Sequence, residues 1–387
     1  MQNLKINNLG PITNANITFG DLTLFVGPQA SGKSILLQLI KLLLDKKHIR
    51  RTLEQYGFIW GKDEKVILDR YFGEGMASIW LPNTEIVFNG KSYSLSYLLP
   101  KRKESIKNVE ETLFYVPAQR VICLQNGWPR FFTDYEDSVP YVLRHFSETL
   151  RQLLERGINS KSDTVFPQSQ RLKEPLRDSF NESIFHDGKI IIDKASGKKK
   201  FKLEIGNSSI PFMAWSAGQK EFMPLLLSFY WLCPSSKVSK KESIEFVIIE
   251  EPEMGLHPEA IKSVILQIID LLSRGYKVII STHSPVLLEF AWAFRYLKDN
   301  KADFRSLAEL FDIRNLPPSV RNMFTTVLEK SVSTYYFDRD ANETVTIKDI
   351  SSLDAGSDDE AISQWGGLSS FSTKASDIIL KVTVDEE

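Results

Sequence analysis

The chain has 387 residues, of which 42% are hydrophobic and 25% are charged, and its formal net charge is -1. This composition is ordinary for a globular protein, and the length allows two or three domains or one large α/β domain with insertions. The charge excludes a chain that is basic throughout, and two cysteines and five histidines exclude a cysteine-rich zinc or disulfide scaffold. The few cysteines and the absence of a signal-peptide core predict a cytoplasmic protein. The longest apolar run, residues 222–233, is shorter than the roughly 20 residues of a bilayer span, so no membrane segment is expected.

The first half of the chain contains strand, helix and hairpin patterns. Residues 4–26 alternate apolar and polar positions around turn signals, which predicts two strands and then a buried strand at 22–26. The apolar run 34–44 predicts a helix enclosed in the core. Residues 135–185 are expected to be largely helical, and 188–206 to form a β-hairpin with a lysine-rich turn.

From residue 244 the pattern becomes that of alternating strands and helices. Residues 246–249 and 278–281 are apolar throughout, as in strands buried on both faces. Pro258 marks the start of the intervening helix and Gly275 its end. This strand–helix–strand order predicts a parallel sheet, and residues 335–337 predict one more strand.

Residues 27–34, Gly-Pro-Gln-Ala-Ser-Gly-Lys-Ser, fit the phosphate-binding pattern G-x-x-x-x-G-K-[ST]. In such a loop the backbone N–H groups surround the phosphates, Lys33 reaches the β- and γ-phosphates, and the Ser34 hydroxyl ligates Mg²⁺. The position between a predicted buried strand and a predicted helix is the context that this motif requires. The predicted nucleotide-binding residues of the loop are Gly27, Gln29, Ser31, Gly32, Lys33 and Ser34.

Glu250 and Glu251 follow the apolar strand 246–249 directly. Two carboxylates at a strand end are what a Walker B site needs: the first supports Mg²⁺, and the second orients and deprotonates the attacking water. Taken alone, such a pair is also common as solvated surface. Together with the phosphate loop, the pair predicts the metal ligand Glu250 and the general base Glu251.

Two further segments are weak signals alone, and their order in the chain relative to the other motifs makes them candidates for the site. His283 follows the buried strand 278–281, where a histidine can contact the γ-phosphate; alone, it would more often be structural. The segment Ser216-Ala217-Gly218-Gln219 precedes an apolar helix, and its small residues would let a helix N-terminus approach an anion. In isolation this segment could equally be a simple helix cap.

The order of phosphate loop, Ser-Ala-Gly-Gln, strand with Glu-Glu, and histidine resembles the ABC ATPase superfamily. It is most similar to the RecF/SMC-like branch, and within it to the OLD family and related anti-phage ATPases of the Septu and PARIS type. The resemblance rests on residues 4–44, 114–120, 214–226 and 244–288, with weaker similarity in the tail.

The resemblance implies roles for individual residues. Ser216, Ala217, Gly218 and Gln219 stand at the ABC signature, which caps the ATP held by the opposite subunit. Lys33, Glu251 and His283 are the implied catalytic residues, the last as the switch histidine. Gln119 would be the glutamine that senses Mg²⁺ and the γ-phosphate, although it could also be a plain loop residue.

Three positions depart from the family pattern. Ala217 replaces the usual first signature glycine, Glu250 replaces the usual aspartate, and Gln29 stands where asparagine is common. None of these changes removes a catalytic group, but they are compatible with slow hydrolysis. The OLD family also carries a C-terminal Toprim nuclease, for which the residues after His283 do not supply the clustered acidic ligands.

The expected architecture is an α/β P-loop NTPase with an ABC-type core, an inserted lobe and a C-terminal extension. The predicted boundaries are 1–118 and 214–300 for the ATPase core, 119–213 for an inserted helical and hairpin lobe, and 301–387 for an αβ extension. The cofactors implied are ATP and Mg²⁺.

The leading functional prediction is an ATP-hydrolysing switch that dimerises head to tail and acts as sensor or scaffold of an anti-phage complex with a separate effector. One alternative is a RecF/SMC-like DNA-repair ATPase, which the basic clusters at 46–51, 101–103 and 198–200 would permit; these clusters are equally compatible with solvated surface. Another is a nucleotide-gated assembly module that barely hydrolyses ATP. Beyond a second copy of the chain and an effector, nucleic acid is a possible partner and a membrane is not.

Overall fold

The computed structural model describes residues 1–61, 63–99, 109–158, 162–195, 197–234 and 240–384. The basic cluster at 101–103 therefore lies outside the described residues. The strands are β1 (Asn3–Leu9), β2 (Ile12–Thr18), β3 (Leu22–Val26), β4 (Trp80–Phe88), β5 (Lys91–Ser92), β6 (Leu113–Val116), β7 (Leu124–Gln125), β8 (Trp128–Pro129), β9 (Thr164–Phe166), β10 (Lys189–Asp193), β11 (Lys200–Ile205), β12 (Ser208–Pro211), β13 (Phe246–Glu250), β14 (Lys277–Thr282), β15 (Val332–Arg339) and β16 (Val345–Asp349). The helices are α1 (Lys33–Gln55), α2 (Glu64–Phe72), α3 (Leu95–Leu98), α4 (Tyr141–Arg156), α5 (Glu174–Phe180), α6 (Ala217–Leu232), α7 (Pro258–Ser273), α8 (Pro285–Asp299), α9 (Phe304–Leu310), α10 (Pro318–Leu328), α11 (Glu360–Ser363) and α12 (Ser370–Val384).

A 10-stranded sheet with the order β5-β4-β1-β2-β16-β15-β3-β14-β13-β6 runs through the molecule. The strands β15, β3, β14, β13 and β6 are parallel to one another. The other half of the sheet is mostly antiparallel, through the pairs β1–β2, β1–β4 and β15–β16. The α/β fold predicted from the sequence, with parallel strands around the phosphate loop, is confirmed.

The parallel half of the sheet brings the predicted motifs to one edge. Because β3, β13, β14 and β6 are parallel and in register, their carboxyl ends lie side by side. The phosphate loop follows β3, the glutamate pair ends β13, His283 follows β14, and Gln119 follows β6. In open α/β sheets this carboxyl edge is where ligands bind.

The central strands are buried on both faces, as their apolar runs predict. Val247 and Ile249 of β13 contribute to one hydrophobic cluster, whereas Phe246 and Ile248 contribute to the other. Helices α6 and α7 cover the first face, and α1 covers the second. Alternate side chains along a strand point to opposite faces, so a strand covered by helices on both faces needs apolar side chains at successive positions.

The C-terminal segment supplies two strands to this main sheet. Strand β15 pairs in parallel with β3, so Tyr335 lies opposite Phe25 and Tyr336 opposite Val26. Strand β16 lies between β15 and β2 in the sheet and pairs with both. The segment predicted as an extension, 301–387, therefore packs directly beside the strand that leads into the phosphate loop.

Residues between β6 and α6 form a second, smaller sheet with the order β12-β11-β10-β9. Its central pair, β10 and β11, is the predicted hairpin, and Ile190 lies opposite Leu203. Helix α4 packs against α6 and also contacts β6, so this part of the chain shares the core of the main sheet. Across the described residues, no helix has both the length and the apolar character needed to cross a membrane.

Candidate nucleotide-binding and catalytic site

The backbone of the phosphate loop requires glycine at two positions. Gly27 has φ +147°, and a Cβ there would lie 2.8 Å from the Cβ of Phe337 on β15. Gly32 has φ +89°, and a Cβ there would lie 3.0 Å from Pro11. Both sites combine a conformation that side chains rarely adopt with a neighbour that leaves no room. The tight loop thus delivers the chain into α1, which begins at Lys33.

The Lys33 side chain lies within its own loop. Its Nζ donates to the carbonyl oxygens of Gly27 at 2.9 Å and Pro28 at 2.7 Å, and to Ser31 Oγ at 3.2 Å. Burial lowers the pKa of Lys33 to about 8, and the nearby carboxylates of Glu251 and Glu250 partly oppose that shift. The ammonium is therefore held at the loop with few water contacts, which strengthens its attraction for a phosphate.

Glu250 ends β13 as a buried side chain. Its Oε2 accepts a hydrogen bond from the backbone N–H of Ala118 at 3.1 Å, while Oε1 is buried with no hydrogen-bond partner among the described residues. Burial raises the pKa of Glu250, and the neighbouring Ser34 hydroxyl is the largest influence that opposes this rise. A buried carboxylate oxygen with a free acceptor position beside a serine hydroxyl fits the oxygen ligands that Mg²⁺ prefers.

The backbone turns sharply immediately after Glu250. Glu251 has φ +43°, in the left-handed region, and its N–H donates to the Ser281 carbonyl at 2.8 Å. The buried guanidinium of Arg120 donates to the carbonyl oxygens of Glu250 at 3.1 Å and Glu251 at 3.2 Å. Left-handed backbone at a residue other than glycine is uncommon and costs of order 1–3 kcal/mol. The turn directs the Glu251 carboxylate away from the direction that strand alternation would give it.

The Glu251 carboxylate lies beside His283. Their Oε1 and Nε2 atoms are 3.5 Å apart, and both side chains are about one-third exposed, at 31% and 30%. The pKa of His283 is lowered by burial and by the charge of Lys33, whereas Glu251 and Glu253 oppose that shift. A neutral imidazole and a carboxylate at this separation can hold and orient a water molecule between them and the phosphate loop.

Glu253 positions His283 through the backbone. Its Oε1 accepts hydrogen bonds from the Thr282 hydroxyl at 2.7 Å and from the His283 N–H at 2.6 Å. Neither Glu253 nor Arg120 was among the site residues predicted from the sequence. Both residues adjoin predicted motif residues, but no local pattern distinguishes them from ordinary surface charges.

Gln119 is exposed and directly follows Ala118, the residue that contacts Glu250. It caps a short 3₁₀ helix, Arg120–Cys123, and its own carbonyl accepts the N–H of Ile122 at 3.3 Å. Its place at the end of β6 puts it on the same sheet edge as the phosphate loop. Its role as a sensor of Mg²⁺ stays a prediction.

The predicted signature forms the N-terminus of α6. Ser216 is the N-cap, its Oγ accepts the N–H of Gln219 at 3.3 Å, and the Gln219 side chain accepts the N–H of Ser216 at 3.2 Å. A Cβ at Gly218 would lie 2.8 Å from the Gly255 carbonyl, so only glycine fits there. Ser216 and Ala217 are exposed, so the methyl group of Ala217 has room. The segment is both a capped helix end and an accessible one.

Two known families match the chain. Residues 1–111 match the family described as "AAA ATPase domain". Residues 143–289 match the family described as "AAA domain, putative AbiEii toxin, Type IV TA system". The two matched ranges contain the phosphate loop, the signature segment, the glutamate pair and His283.

A curated relative and two solved structures were also found. The Old nuclease of Escherichia phage P2 is 26% identical over 182 residues, which cover 44% of this chain but only 29% of that protein. An SMC head bound to the C-winged helix domain of ScpA has a TM-score of 0.43 at 12% identity, covering 90% of this chain and 96% of that chain. A dimeric ATP-binding cassette bound to ADP and Pi has a TM-score of 0.34 at 11% identity, covering 73% and 88%. At these TM-scores, neither structure carries weight in the assignment.

The phosphate loop, the carboxylates at the strand ends and the two ATPase family matches define this chain as a P-loop ATPase. In the order of its motifs and in the part that matches the Old nuclease, it is similar to ABC-like ATPases of the OLD type.

Proposed function

We propose that this ATPase is a switch that closes head to tail on a second copy of itself around ATP and Mg²⁺. In this proposal it is the sensor or scaffold of an anti-phage complex, and a separate protein supplies the effector activity. The proposal of a dimer rests on the exposed N-terminus of α6, which is capped by Ser216 and is exposed at Ala217. A helix N-terminus attracts anions through its backbone N–H groups and its dipole.

In the proposed dimer, the phosphate loop of one copy and the signature of the other enclose each nucleotide. A two-fold axis then creates two equivalent sites, because each copy contributes the same two surfaces. Lys33 and the loop N–H groups would hold the phosphates, and Ser34, Glu250 and Gln119 would surround Mg²⁺. Such a metal ion would neutralise charge on the phosphates and fill the free acceptor position of Glu250 Oε1.

The proposed defence role draws on the comparisons. The matched relative is a phage-encoded nuclease, and one matched family is described as a putative AbiEii toxin domain. The match covers only 29% of the Old nuclease, so the activity in that protein's name can lie outside the matched part. We therefore place the effector on a separate protein.

The shared site predicts complementation between two inactive variants. Lys33→Ala damages only the phosphate loop, and Ser216→Arg damages only the signature, so each homodimer should be inactive. A heterodimer of the two retains one intact site. With random mixing, about a quarter of the wild-type sites should recover, since half of the dimers are heterodimers with one good site. ATP hydrolysis is measured on the mixture after re-equilibration.

The matched control for this experiment mixes Lys33→Ala with Ser34→Ala. Both lesions lie in the phosphate loop, so each site of the heterodimer carries one of them, and no activity should return. Turnover that is first order in the monomer, with no self-association in any nucleotide state, would contradict the shared site.

A DNA-repair ATPase is the second candidate, and one surface of the inserted region favours it. A cavity of about 490 Å³ is lined by Trp128, Glu155, residues 125–126 and three consecutive lysines, Lys198–Lys200. The Lys199 Nζ lies 5.5 Å from the centroid of the Trp128 ring. Clustered lysines beside an aromatic ring are typical of surfaces that bind single-stranded nucleic acid.

Incubation of the purified chain with DNA or RNA separates these candidates. The leading proposal predicts that the nucleic acid stays intact and that ATP turnover is not stimulated. The repair candidate instead predicts stimulated turnover and an affinity that falls steeply with salt, because bound lysines release counterions. Nuclease activity that copurifies with the chain and survives Glu250→Gln and Glu251→Gln would contradict a separate effector.

A further inference from the structure

Two histidines and a glutamate converge at the end of β6 that lies opposite the nucleotide site. His48 comes from α1, Glu111 precedes β6, and His145 comes from α4. One ligand atom from each of the three side chains lies within 4.8 Å of the other two. Because β6 runs from Leu113 toward Gln119, this cluster lies at its amino end, whereas the phosphate site lies at its carboxyl end.

The hydrogen bonds of this cluster leave ring nitrogens of its two histidines unpaired among the described residues. His145 Nε2 lies 3.0 Å from Glu111 Oε1, and the two imidazole rings have their centroids 5.3 Å apart at 70°. The Nδ1 atoms of His48 and His145 are buried with no hydrogen-bond partner in the part of the chain that the structure describes. Because His145 faces Glu111 through Nε2, that nitrogen and not Nδ1 is the ring atom of His145 that a metal shared with Glu111 would contact. The orphaned Nδ1 of His48 needs a partner, since buried polar atoms are normally paired.

A buried group of charged side chains adjoins the cluster and holds Glu111 in place. The ammonium of Lys41 lies 2.7 Å from Asp45 Oδ2, 2.7 Å from Glu111 Oε1 and 2.5 Å from the carbonyl of Leu113. The Asp45 carboxylate also accepts from Thr112 and from the Leu113 N–H, so it is fixed beside Lys41. Lys41 therefore faces two carboxylates at the same distance, and Lys241 adds a further positive charge near Glu111.

We propose that His48, Glu111 and His145 form a Zn²⁺ site. Two imidazoles and one carboxylate are a donor set that Zn²⁺ accepts, with a fourth position left for water. Mg²⁺ and Ca²⁺ prefer oxygen ligands, so the two ring nitrogens select a transition metal. The three ligand atoms, which lie within 4.8 Å of one another, would move inward to reach the ion.

The proposed Zn²⁺ joins helix α4 to two elements that lead to residues of the ATPase site. Helix α1 begins at Lys33 and bends at Asp45, where the backbone departs from helical geometry. Strand β6 leads to Ala118, which contacts Glu250. A metal bound by residues from α1, α4 and the segment before β6 would stabilise their packing, and this inference does not depend on the proposed dimer.

Calorimetry on the metal-free, nucleotide-free chain tests this site, with excess Mg²⁺ present to occupy oxygen-rich sites. One Zn²⁺ should bind tightly per chain and raise the melting temperature. His48→Gln and His145→Gln should each weaken binding at least tenfold and abolish the thermal shift. The matched control is His186→Asn, because His186 is exposed and asparagine tolerates its φ of +46°; this variant should bind as the wild type does.

Absence of a stoichiometric Zn²⁺ site in the wild-type chain overturns the proposal, as does tight binding that both variants retain. The absorption spectrum of Co²⁺ bound to the unmodified chain keeps the test independent of how the variants fold. An intense tetrahedral spectrum supports the site, and the weak spectrum of an octahedral ion contradicts it. ATP affinity measured on the same wild-type sample shows separately whether the nucleotide site is intact.

Discussion

Glu251→Gln is expected to lower ATP turnover by roughly 10² or more while leaving ATP binding close to normal. Glutamine keeps the size of the side chain and most of its hydrogen bonding but cannot accept a proton. The ATP-bound state should therefore accumulate, and with it the proposed dimer. Single-turnover hydrolysis and size-exclusion chromatography with ATP measure the two effects.

The structure gives this prediction its physical basis. The Glu251 carboxylate lies at the carboxyl edge of the sheet, 3.5 Å from His283 Nε2, and is part-exposed where a water molecule can reach it. The backbone of Glu251 is held by Arg120 and by the Ser281 carbonyl, so a substitution confined to the side chain leaves the turn in place. Glutamine tolerates the left-handed φ as well as glutamate does, because the two side chains branch alike.

Two neighbouring carboxylates provide controls with the same change of charge. Glu250→Gln should raise the Mg²⁺ concentration needed for turnover, because Glu250 is buried beside Ser34. Glu253→Gln should lower ATP turnover less than tenfold, because the side-chain oxygen of glutamine can still accept hydrogen bonds from the Thr282 hydroxyl and the His283 N–H. Normal turnover in Glu251→Gln, or its rescue by excess Mg²⁺ while Glu250→Gln stays inactive, would reverse the assigned roles.

Local patterns in the sequence predict much of the parallel half of the sheet. The apolar runs at 22–26, 246–249 and 278–281 lie in β3, β13 and β14, and the helix after Pro258 begins where expected. Each of these signals lies within a few residues, because burial on both faces demands an uninterrupted apolar run. The phosphate loop is also a local signal, because the positive φ of Gly27 and Gly32 favours glycine before any distant neighbour is considered.

Contacts across long sequence separations could not be predicted in this way. The pairing of β15 with β3 places Phe337 against Gly27, although more than 300 residues separate them. Arg120 lies buried beneath the turn at Glu251, but nothing in its local sequence indicates burial. Strand pairing and buried charges depend on the assembled fold, and a single sequence carries no periodic signal for either.

The pKa of Lys33 leads to a second prediction of large effect. Burial lowers this pKa to about 8 in the nucleotide-free chain. Bound phosphates favour the ammonium and so raise the pKa in the complex. The contribution of Lys33 to ATP affinity is therefore fully present below pH 8 and is lost as the pH rises from 8 toward the pKa of the complex.

Lys33→Ala is expected to weaken ATP binding at least tenfold at pH 7, or about 1.4 kcal/mol, and to remove the decline in affinity above pH 8. In the wild type that decline should approach tenfold per pH unit, the limit for one proton linked to binding. Nucleotide titrations from pH 7 to pH 10 measure both curves, which should converge at the alkaline end. Lys65→Ala, which removes an exposed lysine of α2, is the control and should follow the wild type. Equal affinities for Lys33→Ala and wild type at pH 7 would contradict a phosphate-binding role for Lys33, because a buried ammonium in the phosphate loop cannot contact bound phosphates without strengthening their binding.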